Sequence, residues 1–168
     1  PLGEAIRTEV GQPDAREIIS VLLEAGADPN GMCMFNRPLC LALDNSDMNT
    51  VKTLIEAGAN PAARCEEGGG VLHHAQRVGL DPDSVKYLVE QGADVNITND
   101  GGNTPLHVAL KRGNTGIAEL FVKAGSNLHK ENRRGVTPLQ LARTLSREDK
   151  WVPKDYPKRL LQLQKKNP

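Results

Sequence analysis

The side chains of this 168-residue chain that could do chemistry are few, and their spacing does not build a catalytic centre. His73 and His74 are adjacent, so on a helix they point about 100° apart and cannot chelate one metal ion together. Cys65 could approach His73, but two such ligands do not make a metal site. The glycine run at 68–70 lacks the following lysine of a phosphate-binding loop and is interpreted as a turn. Because no paired carboxylates, Ser-His-Asp set or activated cysteine stands out, we predict a non-enzymatic chain without metal or cofactor.

The elements that would position such residues follow a repeat. Four glycines, each followed by Ala or Ser and then by Asp or Asn, stand 32, 34 and 33 residues apart. A Leu with an Ala three residues later recurs at intervals of 37, 33, 34 and 33 residues. Two independent anchors with one period indicate an array of similar units. The glycines are Gly26, Gly58, Gly92 and Gly125, and the Leu anchors are Leu2, Leu39, Leu72, Leu106 and Leu139.

Each unit is predicted to be a pair of helices. A proline just before the Leu anchor, as at Pro38 and Pro105, suits the first turn of a helix. Thr104 and Thr137 are N-cap candidates. Apolar residues at helical spacing predict the second helix, and the repeated glycine then serves as a left-handed C-cap. Polar breaks should end the first helices, and turn-rich fingers should join the units. The breaks are Ser46, Gly79, Gly113 and Ser146.

The unit with GADVN at 92–96 and GNTPLHVA at 102–109 resembles the ankyrin repeat over its whole length. The resemblance covers roughly residues 1–146 and implies an all-α solenoid of stacked helix-turn-helix pairs with β-hairpin-like fingers. It also implies that His107, and one of the two adjacent histidines, hydrogen-bonds between neighbouring fingers. Where the repeat pattern is broken, for example at Arg37 and Gln140, we expect weaker helix capping. Units one to three and unit five should therefore be less stable than unit four. The repeats are placed at about 1–30, 31–62, 63–96, 97–129 and 130–168.

The irregular segments are expected at the two ends of the array. The first unit carries about five extra residues near Thr8 to Ala15, which predict a loop between its helices. The chain begins inside the motif, which suggests a fragment of a longer protein with an exposed apolar end. Residues 157–166 should form a short helix that caps the other end, with Trp151 as a lid.

Composition bounds the compartment and the partners. Apolar stretches are far shorter than the roughly 20 residues that span a bilayer, and no signal pattern opens the chain, so no membrane association is expected. The three cysteines, an odd number at unrelated spacings, argue against a disulfide framework and favour a reducing, intracellular compartment, cytoplasmic or nuclear. We expect the isolated segment to be a monomer.

The resemblance implies that the chain is a protein-protein interaction module, part of a larger scaffold, regulatory or effector protein. Partner contacts in this family come from the finger tips and from the exposed end of each first helix, on the concave face. Carried over to this sequence, the candidate partner-binding residues are Met32, Met34, Phe35, Asn36, Arg64, Glu66, Glu67, Arg77, Asp100, Asn103, Lys111, Arg112, Arg133 and Arg134.

One finger in this set is unusual. The segment 31–36 is short and apolar, and Met32 beside Phe35 could anchor a partner side chain. The alternative is that the short finger folds these side chains back onto its neighbours. Loss of partner affinity without loss of melting temperature on Phe35→Ala would favour the first interpretation.

Charge is distributed unevenly along the chain. Residues 1–99 carry 7 basic and 15 acidic groups, and residues 100–168 carry 14 and 6, so a balance of −8 precedes one of +8. This asymmetry could steer an elongated partner, or it could be solvated surface. Nucleic-acid binding through the basic half is an alternative, but the acidic first half and the scarcity of aromatic side chains for base stacking weigh against it. Two further alternatives are the targeting arm of an enzyme whose catalytic domain lies elsewhere, and asparagine hydroxylation at Asn96 or Asn30.

Overall fold

The computed structural model describes residues 1–8, 15–33, 36–65, 68–148 and 152–166. Its helices follow one another in pairs whose members pack together: α1 with α2, α3 with α4, α5 with α6, α7 with α8 and α9 with α10. The helices are α1 Leu2–Thr8, α2 Ala15–Glu24, α3 Pro38–Asp44, α4 Met48–Glu56, α5 Val71–Val78, α6 Pro82–Glu90, α7 Pro105–Lys111, α8 Thr115–Lys123, α9 Pro138–Arg147 and α10 Tyr156–Lys166. Strands β1 Arg64–Cys65 and β2 Gly69–Gly70 form an antiparallel hairpin with Arg64 opposite Gly70.

The first helices begin as the sequence predicts where a threonine is present. The Thr104 hydroxyl accepts from the His107 amide at 3.4 Å, and the Thr137 hydroxyl accepts from the Gln140 amide at 3.1 Å. Arg37 provides no side-chain cap for α3, as expected. The expectation of weak capping in unit five is wrong, because the Gln140 Oε1 accepts from the Thr137 amide at 2.8 Å and completes the capping box.

The second helices end at the predicted left-handed glycines. Gly26, Gly58, Gly92 and Gly125 have φ values of 88°, 92°, 96° and 90°, which a residue with a Cβ adopts only under strain. One of the predicted breaks in the first helices is wrong. Ser146 lies inside the last turn of α9, where its hydroxyl donates to the Arg143 carbonyl at 3.0 Å and so needs no partner outside the helix.

Stacking of the helix pairs produces one continuous core. The first helices α1, α3, α5, α7 and α9 pack in that order, and outside them α2 contacts α4, α6 contacts α8, and α8 contacts α10. The core consists mainly of Leu, Val, Ile and Ala, as the composition predicts, with Phe121 and Tyr156 as the large rings. The stability of each helix pair therefore depends on its contacts with the adjacent pairs.

The cysteines correct an expectation from the sequence. Cys40 in α3 and Cys65 in β1 form a disulfide across neighbouring units, with their Cα atoms 5.9 Å apart, whereas Cys33 keeps a free thiol. Counting cysteines missed the pair because stacking, and not sequence spacing, brings the two residues together. The bond removes one of the grounds for a reducing compartment, and an intracellular location stays a prediction.

The C-terminal helix α10 closes the described stack against α8 and α9. Leu160 is fully buried, the buried Tyr156 hydroxyl donates to the Thr115 carbonyl at 2.7 Å, and Arg159 pairs with Glu119 at 2.9 Å. The lid predicted for Trp151 and most of the loop predicted at 8–15 fall outside the described residues. None of the helices in the described ranges is both long and apolar enough to cross a bilayer.

Candidate functional site

The fingers that precede the first helices are joined to one another by hydrogen bonds. The Asp100 amide donates to the Gly68 carbonyl at 2.9 Å, and the Arg133 amide donates to the Gly101 carbonyl at 3.1 Å. The Arg64 guanidinium reaches the Thr98 carbonyl at 3.1 Å. The described parts of three successive fingers, at 64–65 with 68–70, at 99–103 and at 132–136, therefore form a connected surface held by main-chain contacts.

Two buried histidines support this surface as the resemblance implies. In His73 the Nδ1 accepts from the Gly70 amide at 3.3 Å, so the Nε2 carries the proton and donates to the Asn103 carbonyl at 2.8 Å. His107 repeats this arrangement between the Thr104 amide, at 3.1 Å, and the Val136 carbonyl, at 2.9 Å. Each neutral ring thus ties the start of its own helix to the next finger.

Burial lowers the pKa of both histidines below the ordinary value of 6.5, although the backbone carbonyl that each Nε2 contacts acts in the opposite direction. Since the unfolded chain then binds protons at a higher pH than the folded one, these rings contribute stability that is complete above about pH 6.5 and is lost as the pH falls towards the folded pKa. We expect the free energy of unfolding to decrease from pH 7.5 to pH 5.5. Urea unfolding across this range measures it.

The matched variant for this prediction is His73→Gln with His107→Gln, because Gln140 already fills the same capping role at α9. We expect the double variant to show a shallower pH dependence than the natural chain. The same slope in both proteins would contradict the role of the two rings.

A cleft of about 180 Å³ opens between the fingers and the first helices. We call it the finger-side cleft. Two of the predicted residues, Arg77 and Arg112, line it together. Its other lining residues are Cys65, Gly68, Gly69, Gly70, His73, His74, Asn99 and Val108.

Arg77 is held in place at the edge of this cleft. Its guanidinium donates to Asp44 at 2.7 Å, and the buried His74 ring donates its Nε2 proton to the same carboxylate oxygen at 2.9 Å. Asp44 belongs to the preceding helix pair, so the contact also joins two units. Sequence reasoning missed His74 as a cleft residue; its spacing of 30 from Asp44, close to the repeat period, is the signal that could have found it.

The other predicted basic residues lie around the next fingers. Lys111 donates to the Asn103 side chain at 3.0 Å, and the same Asn103 oxygen accepts from Asn132 at 2.9 Å, so Asn103 joins two fingers. Arg133 and Arg134 are exposed on the finger at 132–136. The exposed Asp100 lies against Gly68 of the preceding finger.

The predicted apolar finger lies apart from these residues. Met32 is 54% exposed and lines a groove beside Leu2 and Ala27. Asn36 is half-buried and pairs through its main chain with Cys33. Met34, Phe35, Glu66 and Glu67 were also predicted to contact a partner, and they lie outside the described residues.

The two asparagines considered as hydroxylation sites connect neighbouring units. The Asn96 side chain donates to the Gly125 carbonyl at 3.1 Å and accepts from the Asn127 amide at 2.8 Å. Asn30 makes the corresponding contacts to Gly58 and Asn60, at 2.9 and 2.8 Å. Both side chains therefore stabilise the stack.

Metal-binding side chains do not gather in the part of the chain that the structure covers. Within those residues, no three His, Cys, Asp or Glu side chains come close enough together to hold an ion. The arrangement offers fixed hydrogen-bonding and charged groups around a shallow cleft, which suits recognition of another molecule.

Comparison with known proteins identifies the repeat. Residues 72–149 match the family model of ankyrin repeats in three copies. The B-cell lymphoma 3 protein homolog of Mus musculus is 38% identical over 99 residues, which is 58% of this chain and 22% of that protein. The RelA-associated inhibitor of Mus musculus is 31% identical over 118 residues, 68% of this chain and 14% of that protein. The transient receptor potential cation channel subfamily A member 1 of Homo sapiens is 32% identical over 108 residues, 64% of this chain and 10% of that protein. The chain thus spans less than a quarter of the length of these relatives.

Proposed function

Because the chain belongs to the ankyrin-repeat family, whose repeats are generally protein-protein interaction modules, we propose that it binds a protein or peptide through its fingers and first helices, the concave face of such an array. The observation that carries the proposal is the finger-side cleft, where Arg77 and Arg112 lie together above connected fingers. The relatives are much longer proteins, which favours a module within a larger scaffold, regulatory or effector protein.

The surface is suited to binding because the groups that fix the fingers in place are not the side chains that the fingers expose to a partner. Main-chain hydrogen bonds and buried histidines fix the fingers, whereas Arg112, Arg133 and Arg134 are exposed. A rigid, preorganised surface loses little conformational entropy when a partner binds. Arginine also pairs with carboxylates through two parallel hydrogen bonds, so acidic side chains of a partner fit this face.

Affinity capture with charge-reversed variants tests the proposal. The variant Arg112→Glu with Arg133→Glu alters the proposed face, and the control Lys123→Glu with Lys165→Glu applies the same change in net charge on α8 and α10. We expect the first variant to lose at least tenfold of the partner that the natural chain captures and the control to retain it. Quantitative mass spectrometry of the captured proteins measures both.

Retention of every captured protein by the Arg112 and Arg133 variant, with loss from the control, would place recognition on the other side of the array. Circular dichroism melting of both variants checks that each remains folded. Binding kinetics at two ionic strengths then test electrostatic steering. An association rate that does not change with ionic strength would contradict steering.

A further inference from the structure

A second groove lies away from the fingers, between α9 and α10. It has a volume of about 460 Å³, and four of its lining residues are the cations Arg143, Arg147, Lys154 and Lys158. Its remaining lining residues are the buried Ser146 and Pro157 and the half-buried Leu161, none of which is acidic. We call it the end groove.

Arg143 gives α9 a charged residue at a position that is buried in the first helices of other units. Four residues after the Leu anchor, α3, α5 and α7 carry Leu43, Gln76 and Leu110, each 1% exposed because the next helix pair covers it. In α9 the corresponding residue is Arg143, which is exposed. A further helix pair stacked in the same register would bury this charge at a cost of several kcal/mol unless it supplied a counter-charge.

The charge around the groove is strongly positive. The described residues 143–148 and 152–166 contain seven Arg and Lys against two Asp and Glu, a balance of 7 − 2 = +5. Arg159, one of the seven, pairs with Glu119 of α8. The positive groups that line the groove come from α9, from α10 and from the turn before α10, and their grouping around one opening concentrates the potential there.

From this cluster of cations above an apolar floor, we infer that the end groove binds a short acidic peptide segment of a protein partner, with glutamate or aspartate on the cations and an aliphatic side chain on Pro157 and Leu161. The groove accommodates only a few side chains, which fits a short segment better than a duplex. Among the described residues nearby, the aromatic ring Tyr156 is buried and bonded to Thr115, so it offers no stacking surface to nucleic-acid bases.

Fluorescence anisotropy with a labelled glutamate-rich peptide carrying two leucines tests this site. The variant Arg143→Glu with Arg147→Glu removes two lining cations. The control Lys165→Glu with Lys166→Glu makes the same change in charge on exposed residues of α10 that do not line the groove. We expect the first variant to weaken binding about tenfold or more and the control to change it less than about twofold, because contact ion pairs depend on position and long-range attraction does not.

Three outcomes would overturn the inference. Equal weakening in both variants would show that binding depends on net charge and not on the lining residues of the groove. Equal affinity for the peptide with glutamine in place of glutamate would show that ionic contacts do not contribute to binding. Tighter binding of single-stranded or duplex DNA than of the acidic peptide at physiological salt would assign the groove to nucleic acid. Because the fingers are unchanged in both variants, this test is independent of the concave-face experiment.

Discussion

Removing the bond between Cys40 and Cys65 is expected to lower the free energy of unfolding by about 3 kcal/mol. The bond closes a loop across a sequence separation of 25 residues, and in the chain-entropy model a loop of this length restricts the unfolded state by roughly that amount. Both sulfur atoms are buried, so alanine leaves no unpaired polar group in the core. Urea unfolding of the natural chain with and without dithiothreitol, beside Cys40→Ala with Cys65→Ala, measures the effect.

The half-buried Cys33 provides the control, since Cys33→Ser leaves the bond intact. We expect that variant to respond to the reductant as the natural chain does and the double alanine variant not to respond. Titration of three free thiols in protein purified without reductant would show that the bond does not form.

Replacing Gly102 by alanine is expected to destabilise the array by about 2–4 kcal/mol. Gly102 has a φ of 73°, and an added Cβ would lie 2.7 Å from the Arg133 nitrogen and 3.1 Å from the Asn132 Cα in the next finger. The left-handed conformation costs about 1 kcal/mol, and the clash with backbone would break contacts between fingers, including the bond from Arg133 to Gly101. Thermal unfolding followed by circular dichroism measures the loss.

Gly135 is the matched position one repeat later. Its φ is 69°, but nothing lies within 4 Å of an added Cβ, so Gly135→Ala should cost only about 1 kcal/mol, from backbone strain alone. Equal losses in the two variants would mean that the contact between the fingers contributes nothing measurable.

The sequence predicted the local features that recur in each unit and missed the contacts that form between units. Periodicity placed the helix pairs, the prolines at helix starts, the threonine caps and the left-handed glycines, because each depends on residues within one turn of the chain. The Cys40–Cys65 bond and the contact between Asp44 and His74 join different units, so they follow from the exact stacking and not from local pattern. Gln140 was underestimated because its amide reproduces the capping geometry of a histidine with different atoms.

Alignment of the repeats selected Arg77 and Arg112 as partner contacts because both stand at the end of a first helix. The structure places the two side chains around one cleft, and their contact with a partner stays a prediction. The alignment gave Asn103 the role of a partner contact, although its side chain is engaged with Lys111 and Asn132. It did not indicate the end groove, because the exposed charge of Arg143 is unusual only by comparison with the buried residues at the same register in the other units.

The same bond between neighbouring units has a mechanical consequence. Under tension applied at its two ends, a linear array gives way one link after another, and each released unit lengthens the chain. While the disulfide between residues 40 and 65 is intact, the segment between them cannot extend under tension. This segment corresponds to roughly 80 Å of extended chain. The chemical state of two sulfur atoms thus sets how far the molecule can be drawn out.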